Sequence, residues 1–248
     1  MTQRRPLIAA NWKMNGSCAL AEQTFQTLSQ LPAVNVEILI CPPVIFLYDF
    51  PKSDRYLLGG QNLSSEQSGA FTGEISADML VSAGASYVIV GHSERRALFG
   101  ESNEVVLAKT KRAILAKITP IVCFGETLTE RQQEKTMQVL AEQLDAVYAA
   151  HPELLQDSII AYEPVWAIGT GETATPEQAQ QVHAFIRNYL AKYDSAAAEK
   201  VRIIYGGSVN AENCTALFSQ PDIDGGLVGG ASLKPAEFAA ICLSAQDK

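Results

Sequence analysis

The sequence predicts an α/β chain of eight strand–helix units closed into a (β/α)₈ barrel, and three observations predict it. Short apolar runs recur along the whole chain. They are near-continuous rather than alternating, as in strands of a parallel sheet covered on both faces. Each is followed by a turn and a stretch with helical spacing. Dividing 248 residues among eight units gives 31 per unit, enough for a strand and a right-handed crossover helix. A chain of this length, 47% hydrophobic, can bury one sizeable core, so residues 1–248 are read as a single domain.

The first run, 7–10, ends in Asn11-Trp12-Lys13-Met14-Asn15-Gly16. An open, doubly wound sheet usually carries a Gly-rich dinucleotide loop there, and this segment has none. The second and third runs are 36–41 and 56–58. Residues 64–76, from Ser64 to Ser76, then form a long polar stretch carrying Phe71 and Ile75. Loops of that length in compact domains are usually functional or disordered, and apolar residues on one suggest a partner surface. The fourth run, 87–90, leads into Gly91-His92-Ser93-Glu94-Arg95-Arg96, and Ser102-Asn103-Glu104 opens a helix. After the fifth run, 121–124, comes the sixth, Ile159–Tyr162, followed by Glu163-Pro164-Val165-Trp166-Ala167-Ile168-Gly169-Thr170-Gly171. Thr175-Pro176-Glu177-Gln178 is a helix start with a Thr N-cap, Pro at the first helical position and Gln completing a capping box. The seventh run, 201–205, ends in Gly206-Gly207-Ser208, and the eighth, 227–228, in Gly229-Gly230-Ala231-Ser232. His151 and His183 fall in helical or helix-end stretches and are expected at the surface.

Charge excludes several functions. With 27 acidic and 19 basic residues the formal charge is −8, and no basic stripe is available for nucleic acid or an anionic membrane. Such a chain binds an anion locally, through backbone N–H groups and a Lys. No apolar run approaches the ~20 residues of a membrane-spanning helix. Arg4 and Arg5 precede four apolar residues, too few for the core of a signal peptide. Five Cys in no close pair suggest a reducing, cytoplasmic protein. Three His and no cluster at ligand spacing predict neither a metal nor a cofactor.

In a barrel of this type the active site lies at the C-terminal ends of the strands. The polar residues just after the runs are Asn11 and Lys13, His92, Glu163, and the turns at Gly206 and Gly229. One ammonium, one imidazole, one carboxylate and two Gly-rich turns would therefore meet at one mouth. Gly-rich turns of that kind bind an anion through backbone N–H groups without added side-chain charge. The plain alternatives are a surface carboxylate for Glu163, a satisfied buried imidazole for His92, a solvated charge for Lys13 and glycines that merely permit tight turns.

The segments 9–16, 90–96, 161–171, 205–209 and 227–233, taken in order, resemble the signature segments of the triosephosphate isomerase family, and the resemblance covers essentially the whole chain. It implies a TIM barrel that interconverts dihydroxyacetone phosphate and D-glyceraldehyde 3-phosphate. The roles it carries over are the family's known ones. Glu163 would be the base, His92 the electrophile and proton shuttle, and Lys13 the charge that steadies the enediolate. Asn11 would orient substrate and Lys13, and Glu94 would pair with or position Lys13. Gly169, Ser208, Gly229 and Gly230 would contact the phosphate. Residues 164–171 would form a lid between hinges at Pro164 and Gly171, with Ile168 covering the site. Cys123 and Glu126 would be structural. The family is dimeric, so the 64–76 loop would enter a second copy, with Thr72 reaching its Asn11 and Lys13. Glu172 stands where the family more usually has Lys. Another phosphosugar enzyme on the same barrel, or a non-catalytic binding protein, are the competing readings. The first should lack Asn11, Lys13 and the Glu163 lid, and the second has no use for an intact Lys, His and Glu set.

Overall fold

The structure, a computed structural model, describes residues 4–169 and 173–246. Eight parallel strands close into a barrel in sequence order: β1 (Leu7–Asn11), β2 (Glu37–Cys41), β3 (Leu57–Gly60), β4 (Ala85–Val90), β5 (Thr119–Phe124), β6 (Ile159–Tyr162), β7 (Ile203–Tyr205) and β8 (Gly225–Val228). Closure is made by β8 against β1, with Leu7 opposite Gly225 and Ala10 opposite Val228. Helices lie between successive strands around the outside.

The continuous apolar runs have a simple cause. Alternate residues of each strand point inward and outward. Leu7, Ala9, Leu39, Cys41, Ile89, Ile121, Cys123, Ile159, Ala161 and Ile204 fill the barrel interior. Ile8, Ala10, Ile38, Ile40, Val88, Val90, Val122, Phe124, Ile160 and Tyr162 form the second core beneath the helices. Both faces are dry, so neither can be polar.

Several strand ends differ from the sequence expectation by two residues: β4 begins earlier, at Ala85, β5 earlier, at Thr119, and β7 later, at Ile203, and two further differences fall at glycines. β3 runs on through Gly59 and Gly60, and β8 begins at Gly225, two residues earlier than the apolar run suggests. Glycine is a poor strand former, yet Gly225 has φ +134°, and a Cβ there would lie 1.9 Å from the Leu7 carbonyl oxygen. Only a residue without a side chain lets β8 lie against β1 at that point.

The helix starts match their signals. Thr175 Oγ1 accepts the Gln178 N–H at 3.2 Å, and Gln178 Oε1 accepts the Thr175 N–H at 3.1 Å, opening the helix Pro176–Leu190. Ser102 caps the helix Asn103–Leu115. His183 corrects the surface expectation: it is fully buried, between the rings of Tyr162 and Tyr205. It belongs to the apolar stripe Ala179, Val182, His183, Ile186 and Leu190, whose spacing turns it inward. His151, by contrast, keeps a third of its side chain in solvent.

Residues 64–76 carry no regular structure until the helix that starts at Ala77. The loop is pinched at its base, where Ser64 N–H donates to the Ile75 carbonyl at 2.8 Å, and its tip, 66–74, is exposed. Among the described residues no helix is long and apolar enough to cross a membrane.

Candidate active site

Six strand ends contribute to one mouth. At the end of β1, Asn11 is buried and its Oδ1 accepts the Lys13 N–H at 3.0 Å. Lys13 itself has φ +53°, a left-handed conformation that non-glycine residues rarely adopt. Gln61, directly after β3, holds it there: its amide donates to the carbonyls of Lys13 at 2.8 Å and Cys41 at 2.9 Å. The Lys13 ammonium lies 2.6 Å from Glu94 Oε1. Glu94 is thus a partner of Lys13, and its side chain is nearly half exposed.

His92 follows β4 and caps the helix Ser93–Phe99. Its Nδ1 accepts the Glu94 N–H at 3.2 Å, which leaves the ring hydrogen on Nε2. Nε2 faces Glu163 Oε1 at 2.9 Å, and the other oxygen of Glu163 accepts the Ser93 N–H at 2.8 Å. The carboxylate therefore sits on a helix N-terminus, where partial positive charge favours an anion. Arg96 fixes this helix to the barrel by donating to the carbonyls of Gly91 at 2.8 Å and Cys123 at 3.1 Å.

Glu163 is 1% exposed. Burial alone pushes its carboxyl up, but the His92 ring and the Ser93 N–H pull it further the other way, and it lies below the ordinary carboxylate range. For His92, burial acts against the cation while the Glu163 carboxylate favours it, and the carboxylate prevails, raising the imidazole. Gly206 makes the arrangement possible. A Cβ on it would come 2.9 Å from Glu163 Cγ and 3.2 Å from the Tyr162 carbonyl oxygen.

In front of this pair opens a cavity of about 490 Å³. Asn11, Lys13, His92, Gly169, Ser208, Gly229 and Gly230 are among the residues that line it. The structure thus brings together the expected base, electrophile, ammonium and glycine turns. Gly230 has open space where a side chain would be. Lid residues Thr170, Gly171 and Glu172 lie outside the described residues. Where the sequence leads one to expect the lid's N-terminal hinge, Trp166 Nε1 donates to Glu126 Oε1 at 2.9 Å and the Tyr162 hydroxyl donates to the same oxygen at 3.1 Å. The Arg131 guanidinium lies 4.1 Å above the Trp166 ring. Glu126 is fully buried and Cys123 packs inside the barrel.

Thr72 is exposed at the tip of the 64–76 loop. Beside the site runs a groove lined by Met14, Gly73, Glu94, Leu98 and Phe99. Met14 is 96% exposed, Leu98 75% and Phe99 67%.

Sequence reasoning passed over Gln61, Ser93 and Arg96. Gln61 was hidden because the third apolar run stops at Leu58, whereas the strand continues through two glycines. Ser93 and Arg96 lie inside a segment already singled out, but their work is done through a backbone N–H and a guanidinium turned away from the mouth.

The chain is similar to known proteins along nearly its whole length. A sequence model of the family described as Triosephosphate isomerase matches residues 6–245. A triosephosphate isomerase of Nitrosomonas europaea is 51% identical, with 98% of this chain and 99% of the relative aligned. One of Shewanella amazonensis is 48% identical, with 98% of each chain aligned.

Proposed function

From the premise that the chain belongs to the triosephosphate isomerase family, we propose an active site in which Glu163 is the base, His92 the electrophile and Lys13 the stabilising cation. As a member of that family it is an isomerase that interconverts dihydroxyacetone phosphate and D-glyceraldehyde 3-phosphate, a step of glycolysis. The observation that carries the assignment of roles is the meeting of Glu163, His92 and Lys13, from the ends of β6, β4 and β1, beside one cavity with two Gly-rich turns.

Substrate enters with its phosphate toward Gly169, Ser208, Gly229 and Gly230, whose backbone amides and hydroxyl bind an anion without added side-chain charge. Its oxygens take the Nε2–H of His92, and Glu163 leaves the imidazole for the carbon. The carboxylate removes a proton from C1 of the ketone, and the electron pair moves into a C1–C2 double bond to give the enediolate. His92 relays a proton between the two oxygens, and Glu163 returns its proton to C2. Once Glu163 has moved off, the largest influence left on the ring is burial, which together with the Glu94 N–H on Nδ1 and the Lys13 charge opposes a second proton against the pull of the Glu94 carboxylate, so that Nε2–H serves as a neutral donor. Lys13 meets the developing negative charge in a site from which water is largely excluded. Asn11 and Glu94 orient Lys13.

A homodimer through the 64–76 loop belongs to the same reading. Thr72 of one subunit would reach Asn11 and Lys13 of the other. The exposed loop tip and the apolar groove beside Lys13 support it, since a monomer rarely leaves Met14, Leu98 and Phe99 together in water. The reading also takes residues 1–248 as one catalytic domain in the cytoplasm, supported by five free thiols, four of them buried. A coupled assay of dihydroxyacetone phosphate and glyceraldehyde 3-phosphate interconversion tests the activity, and purified enzyme without turnover would sink it.

A further inference from the structure

The cavity is built to take a dianion, yet the chain as a whole carries a formal charge of −8. Among the described residues only two cationic side chains line it, Lys13 and Lys234. Lys13 is already engaged with Glu94 at 2.6 Å. Lys234 closes the short turn Gly230–Leu233 that follows the Gly229 backbone, and it precedes the helix Pro235–Ser244. Its ammonium is 3.1 Å from Glu237 Oε2, and Glu237 lines the same cavity. The two side chains differ in exposure, 74% for Lys234 and 24% for Glu237. A pair three residues apart whose cation is largely in solvent contributes little to stability. Its ammonium can therefore change partners at small cost.

We propose that Lys234 is an outer steering cation for the substrate phosphate and that Glu237 is the counterion it exchanges when the dianion arrives. The inference rests on the reading of the Gly229–Gly230 side as the phosphate end of the site. In the empty enzyme the Glu237 carboxylate occupies the ammonium and lowers the positive potential at the rim. An incoming phosphate, carrying about two charges, outcompetes a single carboxylate. Lys234 then rests against the phosphate from outside while backbone amides hold it from within. Lys13 acts on the reacting oxygens, and Lys234 acts on approach and residence.

Steady-state rates with glyceraldehyde 3-phosphate across ionic strength, together with inhibition by inorganic phosphate, test this. Lys234→Met should lower kcat/KM about fivefold at roughly 0.02 M salt, with kcat within twofold and the gap closing as the Debye length shrinks toward ~5 Å. Its inhibition constant for inorganic phosphate should rise in parallel. Lys234→Arg keeps the charge and should behave as the unaltered enzyme. Glu237→Gln should raise kcat/KM about twofold at low salt and tighten phosphate inhibition. An unchanged kcat/KM and salt slope in Lys234→Met, with inorganic phosphate still competing against substrate, would overturn the role of Lys234 alone. If inorganic phosphate fails to compete even in the unaltered enzyme, the phosphate end has been misplaced and both readings fall.

Discussion

His92 Nε2 and Glu163 Oε1 stand 2.9 Å apart, so the proposed electrophile and the proposed base occupy one another in the empty site. The Ser93 N–H holds the second carboxylate oxygen at 2.8 Å. On the proposed roles, substrate must replace two interactions at once, which links binding of the carbonyl to release of the base. The two groups titrate as a pair rather than singly.

Shortening the base tests its role most directly. Glu163→Asp withdraws the carboxylate by about one methylene, and a misplacement near 1 Å can reduce a rate about 100-fold. The expected result is a fall of that order in kcat with KM changed only a few-fold, measured in the coupled assay. Turnover equal to the parent enzyme would remove Glu163 from the mechanism.

Gly206→Ala should act on the same carboxylate from behind. The new Cβ would meet Glu163 Cγ at 2.9 Å and the Tyr162 carbonyl oxygen at 3.2 Å, so the side chain must give way. A fall in kcat of roughly tenfold is expected, with the fold retained by circular dichroism. If a crystal structure of the variant showed Glu163 unmoved and turnover were normal, the steric account would be wrong.

Acid stability should depend on Glu101. This residue is buried, with Lys109 Nζ at 2.6 Å and Arg95 Nε at 2.5 Å. Burial pushes its carboxyl up, but the two cations prevail and it lies below its ordinary value of 4.5. A carboxylate lowered in the folded state contributes stability above that ordinary value, and the contribution is lost as pH falls through the lowered one. Glu101→Gln should therefore reduce stability near neutral pH by ~3 kcal/mol, because Lys109 is left buried without a counter-charge. The difference from the parent should shrink steadily below pH ~4.5. Urea unfolding at fixed protein concentration, repeated across pH, gives the comparison; a pH-independent difference would contradict it.

Association is the fourth test. Sedimentation at micromolar concentration should show no substantial monomer. Met14→Arg places a charge on the most exposed apolar side chain beside Lys13, and should yield monomers with much lower activity. Full activity in a monomer would refute the homodimer.

The sequence made the barrel readable because burial on both strand faces leaves unbroken apolar runs, and because capping residues such as Thr175 and Ser102 act locally. The site was readable for a related reason: residues that follow a strand must emerge at its mouth, which delivered Asn11, Lys13, His92 and Glu163 together. What escaped depends on tertiary approach. Gly225 looks like a turn and is a strand residue, because only the presence of Leu7 opposite reveals why a side chain cannot fit. Gln61 acts on Lys13 across two strand ends, and no spacing within either segment announces it. His183 reads as polar until the helix is turned onto the barrel.

The junction between β7 and β8 pairs only Tyr205 with Gly226, whereas every other junction pairs at least two residues. The two Gly-rich turns grow from these two staves, so the proposed anion cradle straddles the loosest joint of the cask. Breathing there should let solvent deuterium reach the amides of Gly207, Ser208, Gly229 and Gly230 sooner than those of β4 and β5. A bound phosphate would then act as a rivet across the joint, slowing exchange on both sides of it together.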